Sequence, residues 1–198
     1  GTGIVTIGAI MAMAAHLEDK GCTTMDQLGL AQKGGAVTSH VKIAASPDDI
    51  KTVRISAGEA DIVLGCDMLV TADGNSLSRM RDNHTKIFLN THKTQTGEFT
   101  HNPEWHIPTN TLTAVLKDIC GEDNVVSLDA TKIATSLLGN SIATNMFMLG
   151  YAYQKGEVPL SQAAVFRALE LNNVAVRMNQ NAFMWGRKAA YDLKSVLD

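Results

Sequence analysis

Two glycine-rich turns on either side of a helix-then-strand pattern constrain this chain more than anything else in it. The sequence opens Gly1-Thr2-Gly3-Ile4-Val5-Thr6-Ile7-Gly8 and runs through an apolar segment to Leu17. It turns at Gly21, continues as residues 22–28, and reaches Lys33-Gly34-Gly35 before Val37. From Thr6 onward, Ile7, Ile10, Met11, Ala14 and Leu17 recur at helical spacing. An α/β domain uses this arrangement to bring two backbone loops to one edge of its sheet.

The first helical N–H groups have no partner inside the helix, and the aligned peptide dipoles favour an anion there. Glycines let a phosphate approach the backbone closely. Gly1–Gly3 therefore reads either as a phosphate cradle or as a plain strand-to-helix turn. The dinucleotide fingerprint requires a third glycine where this chain has Thr6, so that motif fails. Asp26 lies near the place of an acidic ribose ligand, at a loose spacing. In the second turn, Lys33 sets a cation beside two exposable N–H groups, which suits a phosphate or a carboxylate; a hairpin with a solvated lysine is the plainer alternative.

Further along, residues 37–45 alternate as a strand, with Val37, Ser39, Val41 and Ile43 on one face. Ser46-Pro47-Asp48-Asp49 breaks it. Residues 61–66 form a continuous apolar run of the buried parallel type. Asp67 starts a helix over 67–71, and a second short helix covers 75–80. Strands are predicted at 86–90 and 124–128, a long polar loop at 91–110, and an amphipathic helix at 111–120 with Leu112, Val115, Leu116 and Ile119 inward. Strands alternating with helices indicate a largely parallel sheet covered on both faces.

The last third is helical. Asp129 or Thr131 caps a helix that ends before Gly139. The next runs from Ser141 to about Gln154, with Ile142, Met146, Leu149 and Tyr153 on one stripe and burial on most sides. Helices over 161–171 and 173–192 follow. Their apolar surface exceeds what one small sheet needs, so a subunit or domain interface competes with plain core. The expected class is α/β: a three-layer Rossmann-like domain, mostly parallel sheet, with a helical C-terminal third.

Composition narrows the function. A net charge of -3 leaves no basic footprint for nucleic acid. Cys22, Cys66 and Cys120 are far apart, so no iron–sulfur cluster is expected on this chain, and a reducing, cytoplasmic compartment fits. No apolar run is long enough to span a bilayer. His92, His101 and His106, with Glu98 and Glu104, match no metal-ligand spacing. Asp73-Gly74-Asn75 reads as a turn. Ser39 and His40 are strand neighbours facing opposite ways, so they are no nucleophile–base pair.

Taken together, Gly1-Thr-Gly-Ile-Val-Thr-Ile-Gly, Leu30-Ala-Gln-Lys-Gly-Gly-Ala-Val and Ser39-His-Val-Lys-Ile resemble the gamma domain of 2-oxoacid:ferredoxin oxidoreductases, of the indolepyruvate type above all. Later matches are Leu138-Gly-Asn-Ser-Ile-Ala-Thr-Asn-Met-Phe-Met-Leu-Gly, Ala168-Leu-Glu-Leu-Asn and Ala182-Phe-Met-Trp-Gly-Arg. The resemblance spans nearly the whole chain.

It implies one gamma-type α/β domain, residues 1–198, within an enzyme that oxidatively decarboxylates a 2-oxoacid to an acyl-coenzyme A. Thiamine diphosphate, magnesium and iron–sulfur clusters would sit on partner domains or subunits, and ferredoxin would take the electrons. Coenzyme A is the ligand expected here. The resemblance implies that Gly1, Thr2 and Gly3 hold a phosphate through backbone N–H groups and that Lys33 neutralises one. Gly34 and Gly35 would admit the ligand, and at most one of Ser39 and His40 would face it. No catalytic residue and no metal site is expected on this chain; a homodimer is allowed. Because the chain opens inside a glycine turn, it is expected to be a piece whose first strand is missing. The rival expectations are a stand-alone dinucleotide-binding domain and a purely structural assembly subunit.

Overall fold

The structure is a computed structural model of the chain and describes residues 3–29, 36–93 and 108–197. The protein is mixed α/β and divides into two compact units: residues 1–56 with 133–198, and residues 57–132.

The second unit holds a parallel sheet in the order β3 (Ile62–Gly65), β4 (Lys86–Asn90), β5 (Val125–Leu128). Ile62 pairs with Lys86, and Ile87 with Val125. Among the described strands only the central β4 is buried on both faces, with Ile87 and Leu89 fully buried and Phe88 nearly so. The run at 61–66, expected to be fully buried, is half-buried at Ile62, Val63 and Leu64 because β3 lies at the edge of the sheet. Two short helices follow β3, α2 (Met68–Thr71) and α3 (Gly74–Leu77). Each starts on an aspartate cap: Asp67 Oδ1 accepts the Val70 N–H at 3.1 Å, and Asp73 Oδ1 the Ser76 N–H at 2.6 Å. Asp73-Gly74-Asn75 is thus a helix start. Met68, Met80, Ile87, Leu89, Leu116 and Cys120 share one core. Leu116 and Cys120 reach it from α4 (Thr109–Cys120). Val115, expected inward, is 37% exposed, because the buried arc of α4 narrows to Leu116 and Cys120.

The first unit starts with α1 (Ile4–Leu17) and an antiparallel hairpin, β1 (Gly21–Leu28) with β2 (Val37–Ala44). Among the described residues the parallel sheet therefore comprises three of five strands, while β1 and β2 form a separate pair. A period-two pattern shows that residues 37–45 form a strand but not which strand it joins.

The rest of this unit is helical. α5 (Ala130–Leu138) ends at Gly139, whose φ is 71°. Then come α6 (Thr144–Gln154), α7 (Gln162–Asn172), α8 (Val176–Tyr191) and the single turn α9 (Lys194–Leu197). Ile142 is off the stripe expected for it: Asn140 Oδ1 accepts its N–H at 2.9 Å in a 3-10 turn, α6 starts only at Thr144, and Ile142 is 62% exposed. Residues 146–152 of α6 are all buried. α6 and α8 cross backbone to backbone. A Cβ on Gly150 would stand 2.0 Å from the Phe183 carbonyl oxygen, and one on Gly186 1.9 Å from that of Phe147. Only glycine permits so close an approach. Phe183 anchors the crossing, with Tyr153 and Phe166 rings at 5.1 and 5.7 Å.

Candidate functional site

The candidate phosphate turn leads directly into α1. Gly3 caps that helix at φ 88°, in the left-handed region, with no side-chain cap and no acid in the first turn. The Ile7 N–H donates to the Gly3 carbonyl at 3.2 Å. A Cβ on Gly3 would stand 2.7 Å from Asn145 Nδ2, the end of a side chain that can swing aside, so it is the positive φ that favours glycine here. The α1 N-terminus is therefore electropositive, close to the amide side chain that begins α6. Gly1 and Thr2 lie outside the described residues.

The second turn joins β1 to β2. Their register closes at Leu28 with Val37, and the Gly29 N–H donates to the Ala36 carbonyl at 2.7 Å. Lys33, Gly34 and Gly35 lie outside the described residues between these two ends.

Ser39 and His40 lie on β2, on opposite faces as their adjacency requires. Ser39 Oγ lies against α1, 2.7 Å from where a Cβ on Gly8 would be. It is buried with no hydrogen-bond partner among the described residues. His40 is 1% exposed, and its Nδ1 accepts the Ile55 N–H at 3.0 Å. That bond leaves Nε2 to carry the proton of a neutral ring. His40 thereby ties the strand to the segment at Ile55.

The ends of the parallel strands bear a polar cluster that the sequence reading did not assemble. Asn90, 4% exposed at the end of β4, donates from Nδ2 to the Cys66 carbonyl at 3.2 Å and to Thr131 Oγ1 at 2.9 Å. Its Oδ1 accepts the His92 and Thr131 N–H groups at 3.3 and 3.4 Å. His92 Nδ1 donates to Asp129 Oδ1 at 3.0 Å, and the same oxygen accepts the Lys132 N–H at 2.8 Å, capping α5. The signal available in sequence was a polar Asn-Thr-His run at a strand end and an Asx cap 37 residues later. His101, His106, Glu98 and Glu104 lie outside the described residues, and no group of three metal-binding side chains occurs among the described ones.

The thiols are poor nucleophiles. Burial, reinforced by the Asp67 charge, pushes Cys66 up to about 12; burial also raises Cys22, and burial with Asp82 raises Cys120. In the described residues no helix is long and apolar enough to cross a membrane.

Residues 1–189 match the pyruvate ferredoxin/flavodoxin oxidoreductase family. The chain is 26% identical over 199 residues to the indolepyruvate oxidoreductase subunit IorB of Archaeoglobus fulgidus, covering 96% of this chain and 94% of that one. Among solved structures it is similar to the gamma subunit of a keto/oxoacid ferredoxin oxidoreductase from Geobacter sulfurreducens, at a TM-score of 0.63 and 18% identity, covering 96% of this chain and 92% of that one. It is also similar to the 2-oxoglutarate:ferredoxin oxidoreductase of Magnetococcus marinus, solved with 2-oxoglutarate, coenzyme A and succinyl-CoA bound. That likeness has a TM-score of 0.61 at 12% identity, and it covers 96% of this chain but 29% of that one. At these identities the structures show a shared fold, and the match over residues 1–189 shows the lineage: the chain belongs to the pyruvate ferredoxin/flavodoxin oxidoreductase family.

Proposed function

We propose that the chain is the gamma component of a cytoplasmic 2-oxoacid:ferredoxin oxidoreductase of the indolepyruvate type. In this reading it is one gamma-type domain that assembles with partner components and supplies part of the coenzyme A site. The observation that carries the reading is the family match over residues 1–189. The name of the Archaeoglobus relative supports the aryl 2-oxoacid, and the coenzyme A bound to the Magnetococcus enzyme supports the ligand.

The ligand would lie on the two glycine turns. Gly1, Thr2 and Gly3 offer backbone N–H groups to a phosphate at an electropositive helix start that carries no competing acid in its first turn. Lys33 neutralises a phosphate, Gly34 and Gly35 let the ligand approach the backbone, and Ser39 and His40 lie on the strand that leaves that turn. Thiamine diphosphate with magnesium would supply the decarboxylation chemistry on a partner component, and iron–sulfur clusters there would serve ferredoxin as acceptor. The role left to this chain is to hold and orient the acyl acceptor.

The test is steady-state kinetics of the assembled enzyme carrying Lys33→Ala. A charge-assisted contact to phosphate contributes on the order of 1.5–3 kcal/mol, so KM for coenzyme A should rise roughly tenfold or more. KM for the 2-oxoacid should stay unchanged. An unaltered KM for coenzyme A would contradict the assignment.

A further inference from the structure

Helix α8 has one face packed and one face bare. Ala182, Phe183, Gly186, Ala189 and Ala190 are buried. On the other side Arg177, Asn181, Met184, Lys188 and Tyr191 follow at steps of three and four, which puts them on one stripe, and all five are exposed. Tyr191 is 85% exposed and Met184 42%. Over its 16 residues α8 carries no carboxylate, although the chain as a whole has a net charge of -3. Exposed Met and Tyr beside arginine, with acids absent, is the composition of a recognition surface rather than of a solvated face.

The C-terminal half of the stripe borders a shallow, open groove of about 270 Å³ lined by Gln154, Met184, Arg187, Lys188 and Tyr191. Its cations are held in place by neutral groups. Arg187 donates from Nε to Gln154 Oε1 at 2.8 Å and from Nη1 to Gln162 Oε1, and its guanidinium lies 5.2 Å from the Tyr153 ring centre. Lys188 Nζ stands 4.8 Å from the Trp185 ring centre. Neither has a carboxylate partner among the described residues. Asp192, at the C-cap of α8, carries a carboxylate whose Oδ1 accepts the Ser195 N–H at 3.1 Å, and it forms no ion pair with either cation. The groove thus presents two positioned cations with no direct carboxylate contact among the described residues, between two apolar side chains.

We propose that this face of α8 is a docking surface for an acidic segment of a partner subunit, whose carboxylates pair with Arg187 and Lys188 while an apolar side chain fills the groove between Met184 and Tyr191. The proposal rests on the reading of the chain as one component of a multi-component oxidoreductase. A second copy of the chain is the poorer occupant. A two-fold interface made by this face would bring together two copies of α8, neither of which carries a carboxylate to pair with Arg187 and Lys188.

The experiment is hydroxyl-radical footprinting of the chain, free and co-expressed with the partner subunits of its oxidoreductase, alongside affinity measurements on Lys188→Glu and Tyr191→Ala. Labelling of Met184 and Tyr191 should fall severalfold on assembly. Lys188→Glu should weaken association about tenfold or more, as reversal of a paired interface charge does. Raising the salt should weaken the wild-type complex too. A complex that forms with unchanged labelling and unchanged affinity of Lys188→Glu would overturn the docking surface while leaving the proposed function standing. Failure of the wild-type chain to assemble would remove both. A chain that dimerises alone and is split by Lys188→Glu would give the face to a second copy and overturn the proposal. Should Lys188→Glu not fold, the wild-type footprint decides alone.

Discussion

The two compact units bury their apolar surface by opposite means. In residues 57–132 the core is filled: Ile87, Leu89 and Leu116 occupy a continuous interior between a parallel sheet and α4. In the other unit the central crossing is emptied. α6 and α8 meet where Gly150 and Gly186 have no side chain, and each helix lays its backbone on the other's carbonyl oxygen. A filled core is most sensitive to lost volume, and an emptied crossing to added volume. Apolar runs announce the first kind of packing. The second is written only in two glycines, which propensity alone would count as weak points in their helices.

Substitutions can break this contrast. The largest effect is expected from Gly186→Ala, whose methyl would fall within 2 Å of a backbone oxygen that cannot swing aside. Overpacking usually costs 1–3 kcal/mol, and here about 3 kcal/mol or more is expected in denaturant unfolding. A cost below about 1 kcal/mol would mean that the crossing is looser than described. Next is Asn90→Ala in the sheet unit. It strands the Cys66 carbonyl and the Thr131 N–H and should cost about 2 kcal/mol, with faster amide exchange at the start of α5. Ile87→Val removes a single methylene from the filled core and should cost about 1 kcal/mol.

The smallest expected effect concerns pH. Glu18 accepts hydrogen bonds from the Ser161 N–H at 2.9 Å and from Lys20 Nζ at 2.9 Å, joining the end of α1 to the start of α7. Ser161 foremost, then Lys20, hold its carboxyl down from 4.5 to about 2. A lowered pKa gives stability that is fully present above pH 4.5 and is lost as pH falls through about 2. The Tm advantage of wild type over Glu18→Gln should therefore shrink between pH 5 and pH 2. A constant difference across that window would contradict the assignment.

Much of the fold was legible before the structure. Asp73, read as part of a turn, caps a helix that starts at Gly74, whereas the aspartate cap at Asp67 and the apolar strands β3, β4 and β5 lie where sequence placed them. These features are local, so local rules find them. The β1–β2 hairpin was one of two readings of the Lys33 turn, but the tight α6–α8 crossing and the His92–Asp129 bond join residues far apart in sequence, and no local pattern specifies them. Ile142 was misjudged because Asn140 diverts the backbone into a 3-10 turn just before the helix begins. Of the candidate site, Gly3, Ser39 and His40 can be followed in space, and they show that the serine and the histidine of β2 serve different faces.

Calorimetric titration of coenzyme A into the protein, with NAD as the control ligand and Lys33→Ala as the variant, tests the central claim most directly. The account predicts binding of coenzyme A that weakens roughly tenfold or more in Lys33→Ala, and no comparable response to NAD. Coenzyme A binding that is unchanged by the substitution, or binding of NAD in its place, would contradict it.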